Sequence, residues 1–412
     1  VTLEATRAGQ ASYGSRADSL ELRYLNGTFA ELCRIESPSG RERACAERVI
    51  AELRALEIEV EEDGCGPLVG SDSGNLLARI PASASPAGEH GEARAPSVLL
   101  CAHLDTVPLL APVEPVLIDG FWENENEAVL GADNKAAIAV ILALARHVRR
   151  EGAPLELELL FTVGEETALA GARAFDASRL RSEFGFVFDH ASPIGEVVLD
   201  SPTHFRIEAD FRGAAAHAGI RPEDGRSAIL AAARAIGSLQ LGRLDAETTL
   251  NLGTISGGSA INVVPERCKF LAEVRSLDQQ RAEDVVAELL ERVHAAANLP
   301  ECECDVDVSV ERTFTGFHLA RSRPAVRVAE RALEASGFAP RPIASGGGSD
   351  ANALIAQGLD VVNLANGTEK NHEPSERVSV ESLQQMLDVS LALLDAAAAE
   401  TAHAQREAGS RC

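Results

Sequence analysis

The segment Ala102-His103-Leu104-Asp105 closes the apolar run Val98–Cys101. Side chains of an extended chain repeat every two residues, so His103 and Asp105 point the same way. A neutral imidazole is a good zinc ligand, and a nearby carboxylate fixes its tautomer and orientation. Taken alone, the pair also reads as a polar strand end. Asp133 stands in Gly131-Ala132-Asp133-Asn134-Lys135, directly before a helical pattern, where it either caps the helix or bridges two cations. Glu165-Glu166 follows the apolar run Leu157–Val163, and adjacent carboxylates at the end of a buried strand repel unless a cation holds them. The other reading of that pair is a solvated turn. Asp189 ends the run Gly185–Phe188, and His372 lies in Asn371-His372-Glu373-Pro374.

Each signal is modest, and their combination is not. Carboxylates and imidazoles gathered at the ends of successive strands make a costly cluster without metal. Two divalent cations resolve the repulsion and create a hydrolytic centre, lowering the pKa of a shared water toward neutrality. The mixture of imidazole and carboxylate suits zinc, with cobalt or manganese as substitutes, better than calcium.

The elements that must position these residues are legible in the periodicity. Apolar residues recur at helical spacing over Leu20–Leu32, Glu42–Leu56 and Ala136–Val148. Strand-like runs occupy Asn75–Ile80, Ser97–Cys101, Leu155–Thr162 and Phe184–Phe188, and strands alternating with helices predict an α/β domain whose mostly parallel sheet is flanked by helices. Open sheets of that kind place ligands at strand ends. The texture changes near Pro202. A strand over His204–Phe211, a helix over Ser227–Leu239, strands near Thr248–Ile255 and Lys269–Arg275, a helix over Ala282–Ala297 and a strand over Asp305–Val310 predict a β-α-β-β-α-β insert. The expected division is a catalytic domain of residues 1–201 and 313–412 around a smaller α+β domain of residues 202–312. Residues 1–20 read as a frayed terminus or a poorly packed first helix, Glu400–Cys412 as a loose tail, and Pro81–Pro96 as a surface loop rich in Pro, Ala, Ser and Gly.

Composition narrows the classes. The chain has 412 residues, 45% of them apolar, enough for two domains with real cores. Its formal net charge of −25 repels nucleic acid and anionic membrane surfaces. No apolar run approaches the roughly 20 residues of a membrane span, and the start has no signal-peptide pattern, so the expected compartment is the cytoplasm. The eight cysteines are scattered, and even Cys302-Glu303-Cys304 reads as reduced structural thiols rather than a metal site.

Taken together, His103-Leu104-Asp105-Thr106-Val107, Gly131-Ala132-Asp133-Asn134-Lys135, Val163-Gly164-Glu165-Glu166-Thr167 and Asn371-His372-Glu373 resemble the M20 family of zinc peptidases. In the insert, Ala215-Ala216-His217-Ala218-Gly219, Ile261-Asn262-Val263-Val264-Pro265 and Glu273-Val274-Arg275 extend the resemblance, which is nearest the peptidase T and tripeptidase branch and runs from about Leu20 to Asp395. The resemblance implies that Asp133 bridges two zincs, that His103 and Asp189 complete one, and that Glu166 and His372 complete the other. Asp105 would orient His103, and Glu165 would be the general base.

The resemblance further implies that His217 reaches a partner subunit's substrate as an oxyanion donor, within a homodimer formed through the insert. Otherwise His217 is an ordinary surface residue. Asn262 and Arg275 would hold the substrate's terminal carboxylate or carbonyls, although a structural ion pair is the commoner use of such an arginine. Gly346 and Gly347, in Ser345-Gly346-Gly347-Gly348-Ser349, would present backbone N–H groups to substrate or simply turn the chain. Two positions depart from the family pattern: Ile261 replaces a hydroxyl residue, and His190 follows Asp189. The expected function is removal of the N-terminal residue from short peptides. An N-acyl-amino-acid amidohydrolase, a carboxypeptidase or a non-catalytic metal-binding homologue are the alternatives.

Overall fold

Asp18 opens the first helix with a capping box, its carboxylate accepting from the Leu20 and Glu21 N–H groups while Glu21 returns to the Asp18 N–H. The computed structural model describes residues 18–83 and 96–410, so most of the two segments expected to be loose, residues 1–20 and 81–96, falls outside the described residues. Two compact units are present: one ends at Leu199 and resumes over Leu319–Ala344 and from Ser349 onward, the other comprises Asp200–His318 and Ser345–Gly348.

The first unit contains α1 (Ser19–Cys33), α2 (Arg43–Ala55), β1 (Val60–Glu62), α3 (Gly66–Val69), β2 (Leu76–Ile80), β3 (Ser97–His103), β4 (Pro115–Ile118) and β5 (Phe121–Asn124). It continues through α4 (Ala132–Glu151), β6 (Glu156–Thr162), α5 (Ala170–Ala174), β7 (Phe184–His190) and β8 (Glu196–Ser201). The insert holds β9 (Thr203–Arg212), α6 (Ala228–Ser238), β10 (Gly242–Arg243), β11 (Thr248–Gly257), β12 (Arg267–Ser276), α7 (Gln279–Ala297), β13 (Asp305–Phe314) and β14 (Phe317–His318). The first unit then resumes with α8 (Pro324–Ala335), β15 (Arg341–Ala344), α9 (Asp350–Ala356), β16 (Asp360–Ala365), β17 (Thr368–Glu369), β18 (Arg377–Ser379) and α10 (Val380–Ser410).

The large sheet runs β1-β2-β6-β3-β7-β16-β8-β14, with β15 also on β8. Its four central strands, β6, β3, β7 and β16, are parallel, and the flanking pairs are antiparallel. Central strands buried on both faces read as unbroken apolar runs, and β3 is buried at every position. One charge sits inside: the fully buried Glu158 of β6 accepts from the Arg79 guanidinium at 2.9 Å and from the Arg181 N–H and the Ser182 N–H and hydroxyl. Helix α4 is buried along most of its length, between the sheet and helices α1 and α10.

Two features went unread in the sequence. β17, β18, β5 and β4 form a second, four-stranded sheet. Its hairpin turns at Asp119-Gly120, both with positive φ (49° and 86°), which is the Asp-Gly signature of a tight turn. The C-terminal segment is also not a frayed tail. Helix α10 continues to Ser410, anchored where the buried Glu400 meets Arg327 and Arg331 of α8.

The insert is antiparallel, in the order β10-β11-β12-β9-β13. Alternation along β9 and β12 puts Phe205, Ile207, Phe211, Phe270 and Val274 toward α6 and α7, in a core of the insert's own. The opposite face of those strands carries His204, Arg206, Glu208, Glu273 and Arg275. Among the described residues the seven cysteines are free and buried, and no helix is long and apolar enough to cross a membrane.

Candidate metal centre

Parallel strands deliver the chemistry to one end of the sheet, at their carboxyl termini. β3 ends on His103, β7 carries Asp189, and the chain leaving β6 turns through Gly164 into Glu165 and Glu166. His103 is 1% exposed. Its Nδ1 lies 3.0 Å from the Asp105 carbonyl oxygen and 3.5 Å from the Asp105 carboxylate, while Nε2 lies 3.3 Å from Asp133 Oδ1 and 3.6 Å from Asp189 Oδ1.

Asp133 does not cap α4. The helix starts after Gly131 without a side-chain cap, and Asp133 leaves helical geometry at ψ 105°. Its two oxygens serve two imidazoles: Oδ1 faces His103 Nε2, and Oδ2 faces His372 Nε2, each at 3.3 Å. His372 Nε2 also lies 2.9 Å from Glu166 Oε1. His103, Glu165 and Asp189 each bring one ligand atom within 4.8 Å of the others, and so do His103, Asp133 and Glu166.

Asp105 does more than orient an imidazole. Its buried carboxylate accepts from the Ser39 hydroxyl at 2.7 Å and from the N–H groups of Glu165 and Glu166 at 2.9 and 3.1 Å. One side chain therefore sets both His103 and the backbone that carries the two glutamates.

The electrostatics call for positive charge. Burial pushes the Asp189 carboxyl up to about 7, and burial together with the Asp189 charge raises Glu165 well above the carboxylate range. Burial opposes the ionised form of Asp133 too, yet hydrogen bonds from His103 and His372 hold its carboxyl low. Burial disfavours a charged His103, but Asp105, Asp133 and Asp189 raise its pKa well above the ordinary value. The Asp133 and Glu166 carboxylates bring His372 up to about 10. Protons thus gather on imidazoles, His103 facing three carboxylates and His372 two. Divalent cations would supply that charge more strongly and take the imidazoles neutral, so the donor set fits a pair of metal ions.

Several supporting residues escaped the sequence reading. Glu376, 2% exposed, accepts from the N–H groups of Gly131 at 2.7 Å and Asp133 at 2.9 Å. Asn134 donates to Asp189 Oδ1 at 3.1 Å and to the Phe188 carbonyl. Asp350, 1% exposed, accepts from the Thr162 hydroxyl and sits 3.9 Å from Cys101 Sγ, behind the ends of β6 and β3. Glu376 stands four residues beyond His372, a spacing that offered a signal; the others offered none, because their partners are distant in sequence. His190 follows Asp189 with a buried Nδ1 that meets no hydrogen-bond partner among the described residues, and burial lowers its pKa.

The insert residues are described within their own unit. His217 is exposed and its segment bridges to that of Asn262: His217 pairs with Val263, and the Ala218 N–H donates to the Asn262 carbonyl at 3.0 Å. His217 Nδ1 accepts from the Gly219 N–H at 3.2 Å, which leaves the neutral ring's proton on Nε2 as a donor. Arg275 is held by Glu273, 3.1 Å from Nη2, and by the Gly346 carbonyl, 3.3 Å from Nη1. The Gly347 N–H donates to Ser345 Oγ within the loop, and the Gly347 carbonyl accepts from Ser201. At those points the loop spends its backbone groups on the protein, so its Gly347 N–H is not presented to a ligand here.

Residues 203–298 match the M20 model described as a peptidase dimerisation domain, and residues 75–219 match the model of peptidase family M28. The chain is 34% identical to aminopeptidase PepT from Bacillus cereus ATCC 10987, covering 92% of this chain and 99% of that one at a TM-score of 0.79. It is 30% identical to a tripeptidase from Staphylococcus aureus subsp. aureus Mu50, covering 92% and 98% at a TM-score of 0.83. An uncharacterized Bacillus subtilis (strain 168) protein, YqjE, is 31% identical over 371 residues, 90% of this chain and 97% of the relative. With two such relatives sharing almost its whole length, and with its own insert matching the dimerisation model, this chain belongs to the M20 family of peptidases.

Proposed function

We propose that the chain is an aminopeptidase that removes the N-terminal residue from tripeptides and similarly short peptides, using two zinc ions. The observation that carries the reading is Asp133, whose two oxygens each face a different histidine at 3.3 Å. His103 and Asp189 would hold one ion with Asp133, and Glu166 and His372 the other. When bound, the pair would polarise the scissile carbonyl and lower the pKa of water between them.

The chain's own residues do the rest. Glu165, whose carboxyl is raised above the carboxylate range by burial, takes the proton of the attacking water and delivers it to the leaving amine nitrogen. Asp105 keeps Glu165 in place through the Glu165 N–H and keeps His103 in its ligand tautomer. The chain works as a homodimer through the insert, in which each subunit's His217 serves the other subunit's site by donating from Nε2 to the oxygen of the tetrahedral centre, and Asn262 and Arg275 take the substrate's carbonyl and carboxylate groups. The names of the B. cereus aminopeptidase and the S. aureus tripeptidase favour short peptides as the substrate class.

The test is release of the N-terminal residue from a tripeptide panel by protein stripped with chelator and reloaded with zinc, cobalt or manganese. Metal-restored tripeptide cleavage with dipeptides and N-acyl amino acids untouched supports the reading. Cleavage of N-acyl amino acids instead transfers the same centre to the amidohydrolase alternative. Glu165→Gln should keep its metal and lose about 10²–10⁴ in kcat; unchanged turnover in that variant rejects the general-base assignment.

A further inference from the structure

On the helix-free face of the insert, His204, Glu273 and Arg275 make a chain of contacts that the proposed chemistry has not used. Arg275 and His204 are register partners on β12 and β9, and Glu273 lies two residues before Arg275, so all three project from one face. Glu273 Oε1 and Oε2 lie 3.3 and 3.1 Å from Arg275 Nε and Nη2, gripping the guanidinium along one side. The same Oε2 accepts from His204 Nε2 at 3.0 Å.

The back of the histidine is equally fixed. His204 Nδ1 lies 2.5 Å from the hydroxyl oxygen of buried Thr313, which also donates to the His204 carbonyl at 3.3 Å, so the ring is held from behind while Nε2 faces Glu273. The Phe314 ring packs on the imidazole at 5.2 Å. Phe314 in turn fills the space over Gly348, where a Cβ would stand 2.5 Å from the ring, and this accounts for a glycine at that point of the loop. The hydrogen bond from His204, with that from Arg275, holds the Glu273 carboxyl down at about 2, so it is ionised throughout the physiological range.

A guanidinium has five N–H groups. Nε and one hydrogen of Nη2 go to Glu273, and one hydrogen of Nη1 goes to the Gly346 carbonyl. Among the described residues, two N–H groups remain without a partner, one on each terminal nitrogen. That is the donor pattern that receives a carboxylate in parallel hydrogen bonds. An ion pair made only for stability would need Glu273 and not a histidine locked behind it.

We propose that Glu273 and His204 are positioning residues that hold Arg275 with its terminal nitrogens open to a substrate carboxylate, so that the pair sets selectivity for peptides with a free C-terminus. This rests on the assignment of Arg275 to substrate made above. The test compares one tripeptide with its C-terminal amide, on zinc-loaded full-length protein, for Arg275→Ala, Glu273→Gln, His204→Ala and His204→Gln.

Arg275→Ala should abolish the preference for the acid. Glu273→Gln and His204→Ala should each raise KM for the acid about tenfold, with kcat and the KM of the amide within about twofold of the parent. His204→Gln, which returns an N–H toward Glu273, should recover most of the loss. Unchanged far-UV circular dichroism and thermal midpoint certify that each variant is folded. If Arg275→Ala abolishes the preference while the Glu273 and His204 variants keep it, the pair is structural and the proposal is overturned. Equal losses on acid and amide overturn it as well. A preference that survives Arg275→Ala removes the substrate assignment of Arg275 itself, and the proposal falls with it.

Discussion

A single carboxylate, Glu376, ties its segment to backbone 245 and 243 residues earlier, at Gly131 and Asp133. Both its oxygens are committed to the N–H groups flanking Ala132, and four residues earlier the same segment carries His372. Residues that orient metal ligands commonly govern affinity by 10–100-fold. Glu376→Gln turns one acceptor into an N–H that faces another N–H, so Asp133 should lose its fixed aim toward both histidines. The expected result is a 10–100-fold weaker zinc affinity, measured by competition with a chromogenic chelator, and a lower kcat at saturating metal with far-UV circular dichroism unchanged. An unaltered affinity would reduce Glu376 to a loop anchor. The sequence suggests the proposed ligands only as a set, because carboxylates and imidazoles gathered at the ends of successive strands make a costly cluster without metal, while each alone also reads as a strand end, a cap or a turn. It does not make Glu376, Asn134 or Asp350 readable, because their partners are backbone groups or side chains that only the folded chain brings near.

At the level of elements, the central strands were legible and the edges were not. β3 and β7 are largely apolar runs and β6 alternates before its apolar end, so their strand character was legible, whereas their order in the sheet was not. The four-stranded sheet uses strands of two to four residues, too short for a period to register, and only Asp119-Gly120 marked it. The end of α10 misled because Ala-rich, charged sequence looks like a tail until Glu400 finds two arginines. What positions the glutamate pair is equally local. Asn75 accepts from the Val163 N–H at 3.1 Å and donates to the Gly171 carbonyl at 2.9 Å, binding the exit of β6 to α5. A Cβ at Gly171 would sit 2.1 Å from the Val163 carbonyl oxygen, so Gly171→Ala must displace the turn that leads into Glu165. The expected cost is about 1–3 kcal/mol of stability in urea titration, with a fall in kcat. Gly237→Ala is the control, because nothing lies within 4 Å of its Cβ and it sits in α6, so stability should hold or rise slightly. Equal effects of the two substitutions would show that the turn tolerates movement.

On the scale of the whole molecule, metal and stability are coupled unevenly. The residues assigned to the two ions all belong to the unit that ends at Leu199 and resumes at Leu319, whereas Asp200–His318 has a core of its own around Ile207, Phe211, Phe270 and Leu289. A ligand that binds only the folded form adds RT ln(1 + [L]/Kd), about 2.7 kcal/mol at one hundred times Kd. That gain belongs to the unit holding the ions. It is enlarged there because the cations also relieve the burial of Asp189 and Glu165, whose ionised forms the fold otherwise disfavours. Scanning calorimetry with chelator and then with excess zinc should therefore give two transitions, of which one climbs by several degrees with zinc and the other stays in place. Glu166→Gln together with His372→Ala should shrink the climb without touching the fixed transition. A single transition that moves as a whole would mean that the insert unfolds with the metal-bearing unit, and that its separate core does not make it a separate cooperative unit.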